Sequence, residues 1–543
     1  MVARHQQNGN PSNGLIRSDR STRENGTVVV PFGSYPTPSF PAGGNARTAV
    51  NRPFFDCGVA GCDIDIALND QRARGVRKVA LSIDPASNRE FWGIANTTTI
   101  DFGRVTLKNI AAYRSSVIES RADLDGTFLQ LYDNRSDTNV EQYSNELQLL
   151  GKALDDKLDW IFGGFYLRTK PGGVDGSVNF DSVIPGETFR YTEVYNDAQT
   201  KAIFGQVGYD IGRFLYGLRF NAGLRYTWDK SSGCTISTSL DVPRVGPGNC
   251  EQLGGATGAA KSDAGTYTLG LDYKVNDDLF FYLTNRRGYR SGGFNQSGLS
   301  AFYDGFEGYD PESVTDYEVG LKSSFRIAGM RTRMNVAAYT SSYSNIQRTI
   351  FPGPNFDGDN NPANDPLSLN INAAKATIKG VEFDFSATPA RGLSINGFGA
   401  YTHAKFDEFS SAPAFIPLLG NNPVNNKFAY TPKWTLGGGV RYSTRLGDFA
   451  DLVMNAIWFH SSRVWYVDRP LDTNGIQDRY DTVDARVSLQ DISGKGVDVS
   501  VFVRNLFDTE YAAAGGVITP QITSATVVYN EPRVFGLQIR FTR

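Results

Sequence analysis

The chain has 543 residues, of which 12% are aromatic and 20% are charged, with 57 Gly but only 4 Cys and 4 Met. No segment approaches the roughly 18 consecutive apolar residues that a transmembrane helix requires, so a helical membrane protein is excluded. The 54 Lys and Arg nearly balance the 57 Asp and Glu. Because these residues form no concentrated basic tract, nucleic acid is not expected as a partner.

The sequence carries no pattern typical of an active site. His5, His403 and His460 lie far apart, and the short motifs of zinc proteases, serine hydrolases and P-loop NTPases do not occur. We therefore expect no enzymatic activity, no catalytic residues, no cofactor and no metal ion.

The N-terminal 90 residues are rich in Gly, Pro, Asn and Arg and show little alternation, which predicts an irregular segment over residues 1–90, mainly one long loop. Cys57 and Cys62 lie in this segment, and Cys234 and Cys250 lie in a later polar stretch. Their spacing, without a nearby His, favours two small disulfide loops over a zinc site and so predicts export. However, the first residues lack the apolar core of a secretory signal.

Period-two alternation begins at Phe91–Asp101 and recurs to the C-terminus, which predicts about 17 β-strands. In TYTLGLDYKV, for example, Leu269 and Leu271 share one face and Asp272 lies on the other. One face of these strands is therefore apolar and the other is polar.

Short and long connections alternate along these strands. Residues 154–157 and 445–448 form short links, whereas 229–263, 290–311 and 404–432 are long. Repeated long connections are rare in compact soluble domains but typical of outer-membrane barrels, in which tight turns and long loops lie at opposite ends. Closure of the sheet into a barrel also pairs the backbone N–H and C=O groups of its edge strands, to which lipid cannot form hydrogen bonds. The sequence therefore predicts an all-β transmembrane antiparallel barrel.

Tyrosines and tryptophans near the strand ends suit the two headgroup interfaces of such a barrel. These are Tyr113, Tyr226, Trp228, Tyr273, Trp434, Tyr442, Trp458 and Tyr511.

Several ordered segments resemble the barrel of TonB-dependent outer-membrane receptors, including GIANTTTIDFGRVTLKNIAAYRS, LFFYLTNRRGYRSGGFN, FAYTPKWTLGGGVRY and FVRNLFDTEY. The resemblance spans residues 91–543. It implies a 22-stranded barrel with an N-terminal plug that the TonB energy-transducing complex moves. We expect this plug and about five of the 22 strands to be absent here. We therefore expect the chain to be truncated.

An outer-membrane protein also ends in a strand recognised by the barrel-assembly machinery, and Gly536, Ile539 and Phe541 match that signal.

The resemblance further implies import of a scarce ligand, of the siderophore-iron, vitamin or glycan class, across the outer membrane of a Gram-negative bacterium. Its partners would be that small-molecule nutrient, the TonB complex, the barrel-assembly machinery, and outer-membrane lipid and lipopolysaccharide. Two alternatives are a passive, plugless pore and, least favoured, an outer-membrane enzyme.

Ligand contacts in such receptors lie in long loops and near the outer mouth. Polar and aromatic residues in those positions are the candidates, and three arginines within five residues suit an anionic group, although charge balance against nearby carboxylates explains them equally well. The candidates are Arg286, Arg287, Arg290, Asn295, Tyr303, Tyr309, Trp465 and Tyr466.

Overall fold

Antiparallel strands make up most of the computed structural model. The structure describes residues 2–9, 16–19, 64–123, 128, 133–180, 190–212, 215–239, 243–295, 301–327, 329–350, 357–358, 368–409, 423–466, 475–518 and 524–542. In these ranges, no helix is long and apolar enough to cross a membrane.

The strands in chain order are β1 Val2–Gly9, β2 Ile16–Asp19, β3 Ala86–Asp101, β4 Val105–Asp123, β5 Asp133–Ala153, β6 Leu158–Pro171, β7 Gly176–Phe180, β8 Arg190–Asp210, β9 Leu218–Ser239, β10 Ala256–Asn276, β11 Leu279–Arg290, β12 Gly293–Phe294, β13 Gly308–Tyr309, β14 Glu312–Ile327, β15 Met330–Ile350, β16 Leu369–Ala390, β17 Leu393–Phe409, β18 Trp434–Leu446, β19 Ala450–Ser461, β20 Val464–Trp465, β21 Ile476–Gln477, β22 Tyr480–Gln490, β23 Val497–Arg504, β24 Ala512–Ile518, β25 Ser524–Tyr529 and β26 Val534–Phe541. The α-helix α1 covers Ile64–Arg74, and short 3-10 helices cover Ala301–Tyr303, Pro423–Asn425 and Ile492–Gly494.

Nineteen of the described strands belong to one large antiparallel sheet. From β3 to β26, its long strands pair with their neighbours along the chain, while the short β7 lies against β5 and β8. Apart from β1 and β7, this sheet consists of the consecutive strands that the sequence predicted. The all-β antiparallel barrel, with about 17 strands, is therefore confirmed.

The strands extend well beyond the predicted ends. The connection expected over residues 229–263 is largely a hairpin, because β9 continues to Ser239 and β10 starts at Ala256. A strand needs only about 9–11 residues to cross the membrane, whereas β9 has 22. Outside the lipid both faces of a strand can be polar, so the alternation disappears while the backbone pairing continues.

Three elements, β1, β2 and α1, fall within the segment for which irregular structure was expected. Strand β1 pairs with β3 from Val2 opposite Ile94 to Gly9 opposite Ser87, and α1 precedes β3. Strand β3 itself starts at Ala86, before the alternation becomes visible in the sequence.

One face of the large sheet is apolar and exposed. Leu224, Leu283, Val501 and Leu537 expose 69%, 52%, 58% and 66% of their surface. A soluble sandwich would bury such residues in its core, whereas lipid covers them on a transmembrane barrel. This face is therefore the outside of the barrel.

The opposite face carries polar side chains that bond across strands. The Arg219 guanidinium lies 2.6 Å from the Asp159 carboxylate, and the Asn221 amide donates to Asp272 at 2.7 Å. These bonds join β6, β9 and β10 on the face that does not meet lipid. They form part of a hydrated lumen wall.

Aromatic rings on several strands lie over glycines of the neighbouring strand. Phe398 is opposite Gly437, and Tyr282 is opposite Gly320. A Cβ atom at either glycine would overlap the facing ring. Each ring therefore occupies the space that the glycine leaves, and it compensates for the packing that a glycine in a strand loses.

Candidate ligand-binding site at the loop end

The predicted ligand contacts lie at the end of the sheet that carries the longer connections, which we call the loop end. Because the hairpins are antiparallel, the short turns 154–157, 277–278, 391–392 and 447–449 all lie at the opposite end. The predicted site residues between β11 and β14 and between β19 and β22 therefore lie at the same end of the barrel.

Arg286 is neutralised by carboxylates of the adjacent strand. Its Nε lies 2.7 Å from Asp316 Oδ1, and its Nη2 lies 2.7 Å from Glu318 Oε2. Tyr282 donates its hydroxyl to the other oxygen of Glu318 at 2.7 Å. Two carboxylates surround one guanidinium, so this network has no surplus positive charge for an anion.

Arg290 is more accessible than Arg286. Its side chain is 69% exposed, and its Nη1 lies 3.8 Å from Glu312 Oε1. The Glu312 carboxylate also accepts the Gln347 backbone N–H at 2.8 Å. Arg287 pairs with Tyr267 in the register, which places it on the outward face. The three arginines therefore do not converge on one ligand group.

Asn295, Tyr303 and Tyr309 hold the segment between β11 and β14 in place. Asn295 is buried and exchanges hydrogen bonds with the backbone of Asn370, at 2.9 Å in each direction. Tyr303 is 1% exposed in a cluster with Leu369, and Tyr309 pairs with Gly293 between β13 and β12. In this arrangement the three side chains act as supports for the outer mouth.

Trp465 and Tyr466 belong to an aromatic group that the sequence did not predict as a unit. Tyr466 is buried, with its hydroxyl bonded to the Ala512 carbonyl, and its ring centroid lies 5.2 Å from that of Tyr430. Burial raises the pKa of Tyr466. The Lys427 ammonium lies 5.8 Å from the Trp465 ring centroid.

A stacked tyrosine pair adjoins this group. The rings of Tyr480 and Tyr511 lie 3.9 Å apart at an interplanar angle of 7°. Tyr511 was expected at a headgroup interface, and its ring packs on Tyr480, the first residue of β22. Residues 31 positions apart become neighbours only in the tertiary structure, so spacing in the sequence gave no signal for this pair.

A disulfide and a buried carboxylate anchor the segment between β9 and β10. Cys234 is bonded to Cys250. Glu193 is fully buried and accepts the backbone N–H groups of Val245 and Gly246 at 2.8 and 3.0 Å. The pair Cys57 and Cys62 lies outside the described residues.

The predicted assembly signal lies on the last strand. Ile539 and Phe541 point outward and are 54% and 78% exposed, whereas Gly536 lies under the Phe502 ring from β23. In the part of the chain that the structure describes, no group of three or more His, Cys, Asp or Glu is arranged to hold a metal ion.

Comparisons with known proteins agree on one family. The family model described as TonB dependent receptor-like, beta-barrel matches residues 12–506. Among solved structures, the ferric yersiniabactin uptake receptor FyuA from Yersinia pestis superposes with a TM-score of 0.64 at 18% identity, over 84% of this chain and 62% of FyuA. The siderophore receptor PiuA from Acinetobacter baumannii gives 0.60 at 16% identity, over 84% and 64%. The chain thus spans less than two thirds of either receptor.

Proposed function

Because the chain belongs to the TonB-dependent receptor-like β-barrel family, we propose that it forms the outer-membrane barrel of a receptor that imports a scarce ligand. The observation that carries the proposal is this family match over residues 12–506. FyuA is named as a ferric yersiniabactin uptake receptor and PiuA as a siderophore receptor, and these names favour a ferric siderophore over a vitamin or a glycan.

The ligand would bind at the loop end of the lumen. Arg290 offers an accessible cation there, and Trp465 offers an aromatic ring. The buried Asn295, Tyr303 and Tyr466 support these contacts from behind, as do Tyr309 and the paired Arg286. Import would also need the TonB complex, the barrel-assembly machinery and the lipid of a Gram-negative outer membrane. The barrel itself supplies binding and passage and performs no chemistry.

Uptake assays test this proposal. We would express the barrel joined to the N-terminal plug that the family resemblance implies, in a Gram-negative host without its own siderophore receptors, and supply radiolabelled ferric yersiniabactin, ferric citrate or cobalamin. We expect uptake of at least one probe, and we expect it to stop when TonB is deleted. Uptake that continues without TonB, together with steady conductance in a planar bilayer, would favour the passive pore. If a correctly inserted barrel imports none of the probes, the siderophore and vitamin assignments fail.

A matched pair of variants tests the position of the site. Arg290→Gln removes an exposed cation at the loop end and should lower uptake. Lys152→Gln is the control, because Lys152 is 61% exposed and lies 3.9 Å from a carboxylate oxygen of Asp159, close to the short turn 154–157 at the opposite end. Equal losses in the two variants would contradict a site at the loop end.

A further inference from the structure

The hairpin of β14 and β15 carries four basic side chains near its turn. They are Lys322 and Arg326 on β14 and Arg331 and Arg333 on β15. Arg326 is directly opposite Arg331. Arg333 is opposite Ser324, which lies midway between the two basic residues of β14. Residues opposite each other on paired strands share a face, as do residues two apart on one strand. The four charges therefore form one group, which we call the basic patch.

The basic patch faces the lumen. On β14 its positions alternate with those of Phe325 and Ile327, whose apolar side chains are 36% and 51% exposed on the lipid-facing side. The Lys322 ammonium lies 5.6 Å from the ring centroid of Tyr282, which belongs to the network of Arg286 on the inner face. The four basic side chains are all exposed. A solute in the lumen can therefore reach them.

The basic patch lies at the turn end of the barrel, opposite to the loop end. Residues 328–329 form the turn of this hairpin, directly beyond Arg326 and Arg331. The Ser324 backbone N–H donates to the Asp278 carbonyl at 2.7 Å, in the short turn between β10 and β11. Short turns of an outer-membrane barrel face the periplasm. The patch would therefore line the periplasmic exit of the lumen.

The positive charge of the basic patch is not neutralised in the part of the chain that the structure describes. No carboxylate oxygen there lies within 4.0 Å of a charged nitrogen of the patch. One carboxylate shares its inner face in the row of Lys322, which is opposite Asn335, itself opposite Asp384. The Asp384 oxygens accept the Asn335 amide at 2.9 and 3.1 Å. One carboxylate beside four cations leaves a surplus of positive charge.

Charge on the inner face of β14 is balanced toward the loop end and unbalanced toward the turn end. Toward the loop end, Asp316 and Glu318 each lie 2.7 Å from the Arg286 guanidinium. Toward the turn end, Arg326 is directly opposite Arg331. Like charges in opposite positions destabilise a pair of strands. An anion bound between these arginines would remove that repulsion.

We propose that the basic patch binds a small multivalent anion, one that carries two or more carboxylate or phosphate groups. An exposed ion pair contributes little by itself, so an anion with one charge would gain little here. The planar fork of Arg matches carboxylate and phosphate oxygens, and three arginines with a lysine can contact separate groups of one solute. The site is separate from the loop end. The proposal therefore does not depend on which ligand binds there, or on whether import occurs.

Anion titration of the refolded full chain in nonionic detergent tests the proposal. We would titrate the protein with citrate, pyrophosphate and acetate by isothermal titration calorimetry at low ionic strength. We expect saturable binding of citrate or pyrophosphate, and the tighter of the two identifies carboxylate or phosphate as the preferred group. Acetate should bind about tenfold more weakly or not at all. The variant Arg326→Gln, Arg331→Gln should weaken multivalent binding about tenfold, and high salt should reduce the difference.

The control variant Lys375→Gln, Lys405→Gln also removes two positive charges. Both lysines lie toward the loop end, 2.7 Å from carboxylate oxygens, so their loss should leave anion binding unchanged. Urea unfolding gives a second readout, because an anion that binds the folded state should raise the midpoint of the wild type more than that of the double arginine variant. If that variant fails to refold, Arg333→Gln alone should weaken binding about threefold.

Four results would overturn the proposal. The first is no binding of citrate or pyrophosphate, and the second is unchanged binding in the arginine variants. The third is an equal loss in the control, and the fourth is acetate binding as tight as that of the multivalent probes. Loss of anion binding when the barrel is joined to a plug would overturn the small-anion assignment and indicate that acidic groups of the plug occupy the patch.

Discussion

At the scale of single residues, backbone conformation and space explain which glycines matter. Gly392, in the turn between β16 and β17, has φ +79°, and a Cβ atom there would overlap the Ser443 carbonyl oxygen. Ser443 also donates its backbone N–H to the Gly392 carbonyl at 2.7 Å. Gly329 has a similar φ of +84° but nothing within 4 Å of the Cβ position.

Alanine substitutions at these two turns should therefore distinguish the cost of a positive φ from the cost of an overlap between the added Cβ and the backbone. Gly329→Ala should lower the free energy of unfolding by about 1 kcal/mol through the positive φ alone. Gly392→Ala should lower it by a further 1–3 kcal/mol or so, because the Cβ cannot avoid the backbone of β18. Urea unfolding in lipid vesicles, followed by tryptophan fluorescence, measures both. Equal losses would contradict the overlap.

Asp175 predicts a pH dependence in the link between β6 and β7. Burial raises the pKa of its carboxyl from 3.8 to about 6, so the folded hairpin favours the protonated form. This stabilisation is present below about pH 4 and is lost as the pH rises through 6. Asp175→Asn should match the wild type near pH 4 and exceed it above pH 6.

Hydrogen exchange measures this difference at Val194, whose N–H donates to the Asp175 carbonyl at 2.8 Å. We expect greater protection in Asp175→Asn than in the wild type at pH 7.5, after correction for intrinsic exchange. Equal protection of the two proteins at both pH values would contradict a half-buried carboxyl that titrates near pH 6.

At the scale of elements, a disulfide and a buried carboxylate anchor the segment between β9 and β10. The pairing of β9 with β10 does not depend on this segment. The disulfide closes a sequence separation of 16 residues, and Glu193 fixes Val245 and Gly246. The β9–β10 register runs from Thr235 opposite Ala256 down to Leu218 opposite Tyr273. Most of that ladder lies far from the disulfide.

Removing the disulfide should therefore loosen the segment and leave the strands intact. In Cys234→Ser, Cys250→Ser we expect about 3 kcal/mol less stability for residues 243–255, from the entropy of an open loop of this length. Limited proteolysis should cut within these residues, and circular dichroism should keep its β signal. Glu193→Gln, with the disulfide present, should give a smaller increase in cleavage. Global unfolding of the double variant would contradict local anchoring.

At the scale of the whole molecule, aromatic side chains mark the membrane level on the outward face. Trp92 packs on Tyr113 at 4.8 Å, and Trp434 packs on Tyr401 at 4.7 Å, as Trp228 does on Tyr226. Trp92, Trp228, Trp434 and Trp458 are all 40–45% exposed. On the outward face they form a belt near the loop end of strands β3, β9, β18 and β19.

The belt predicts shallow tryptophans in a bilayer. Lipids brominated near the headgroup should quench the fluorescence of the inserted chain more strongly than lipids brominated near the bilayer centre. Replacing Trp228 by Phe should reduce the shallow quenching, whereas Trp465→Phe should not, because Trp465 lies in the connection between β19 and β22, beyond the large sheet. Stronger quenching at the centre would contradict the assigned membrane level.

The sequence by itself determined the class of structure and its family. Alternation along Leu269 and Leu271, turn residues at short links and the longer connections between them are local properties, and each is visible in consecutive residues. The family assignment followed from ordered motifs, and the family model confirmed it. Strand ends were less well predicted, because polar hairpins above the membrane, such as the upper half of β9, lose the alternation that lipid imposes.

Only the tertiary structure decided which side chains meet. The pairing of Arg286 with Asp316 and Glu318 depends on the register of β11 and β14. The stack of Tyr480 on Tyr511 depends on how the connection before β24 packs against β22. A shift of one residue in register would exchange the two faces of a strand. Composition and spacing therefore establish that charged and aromatic residues are present at the loop end. The register establishes whether they are neutralised, buried or free to bind.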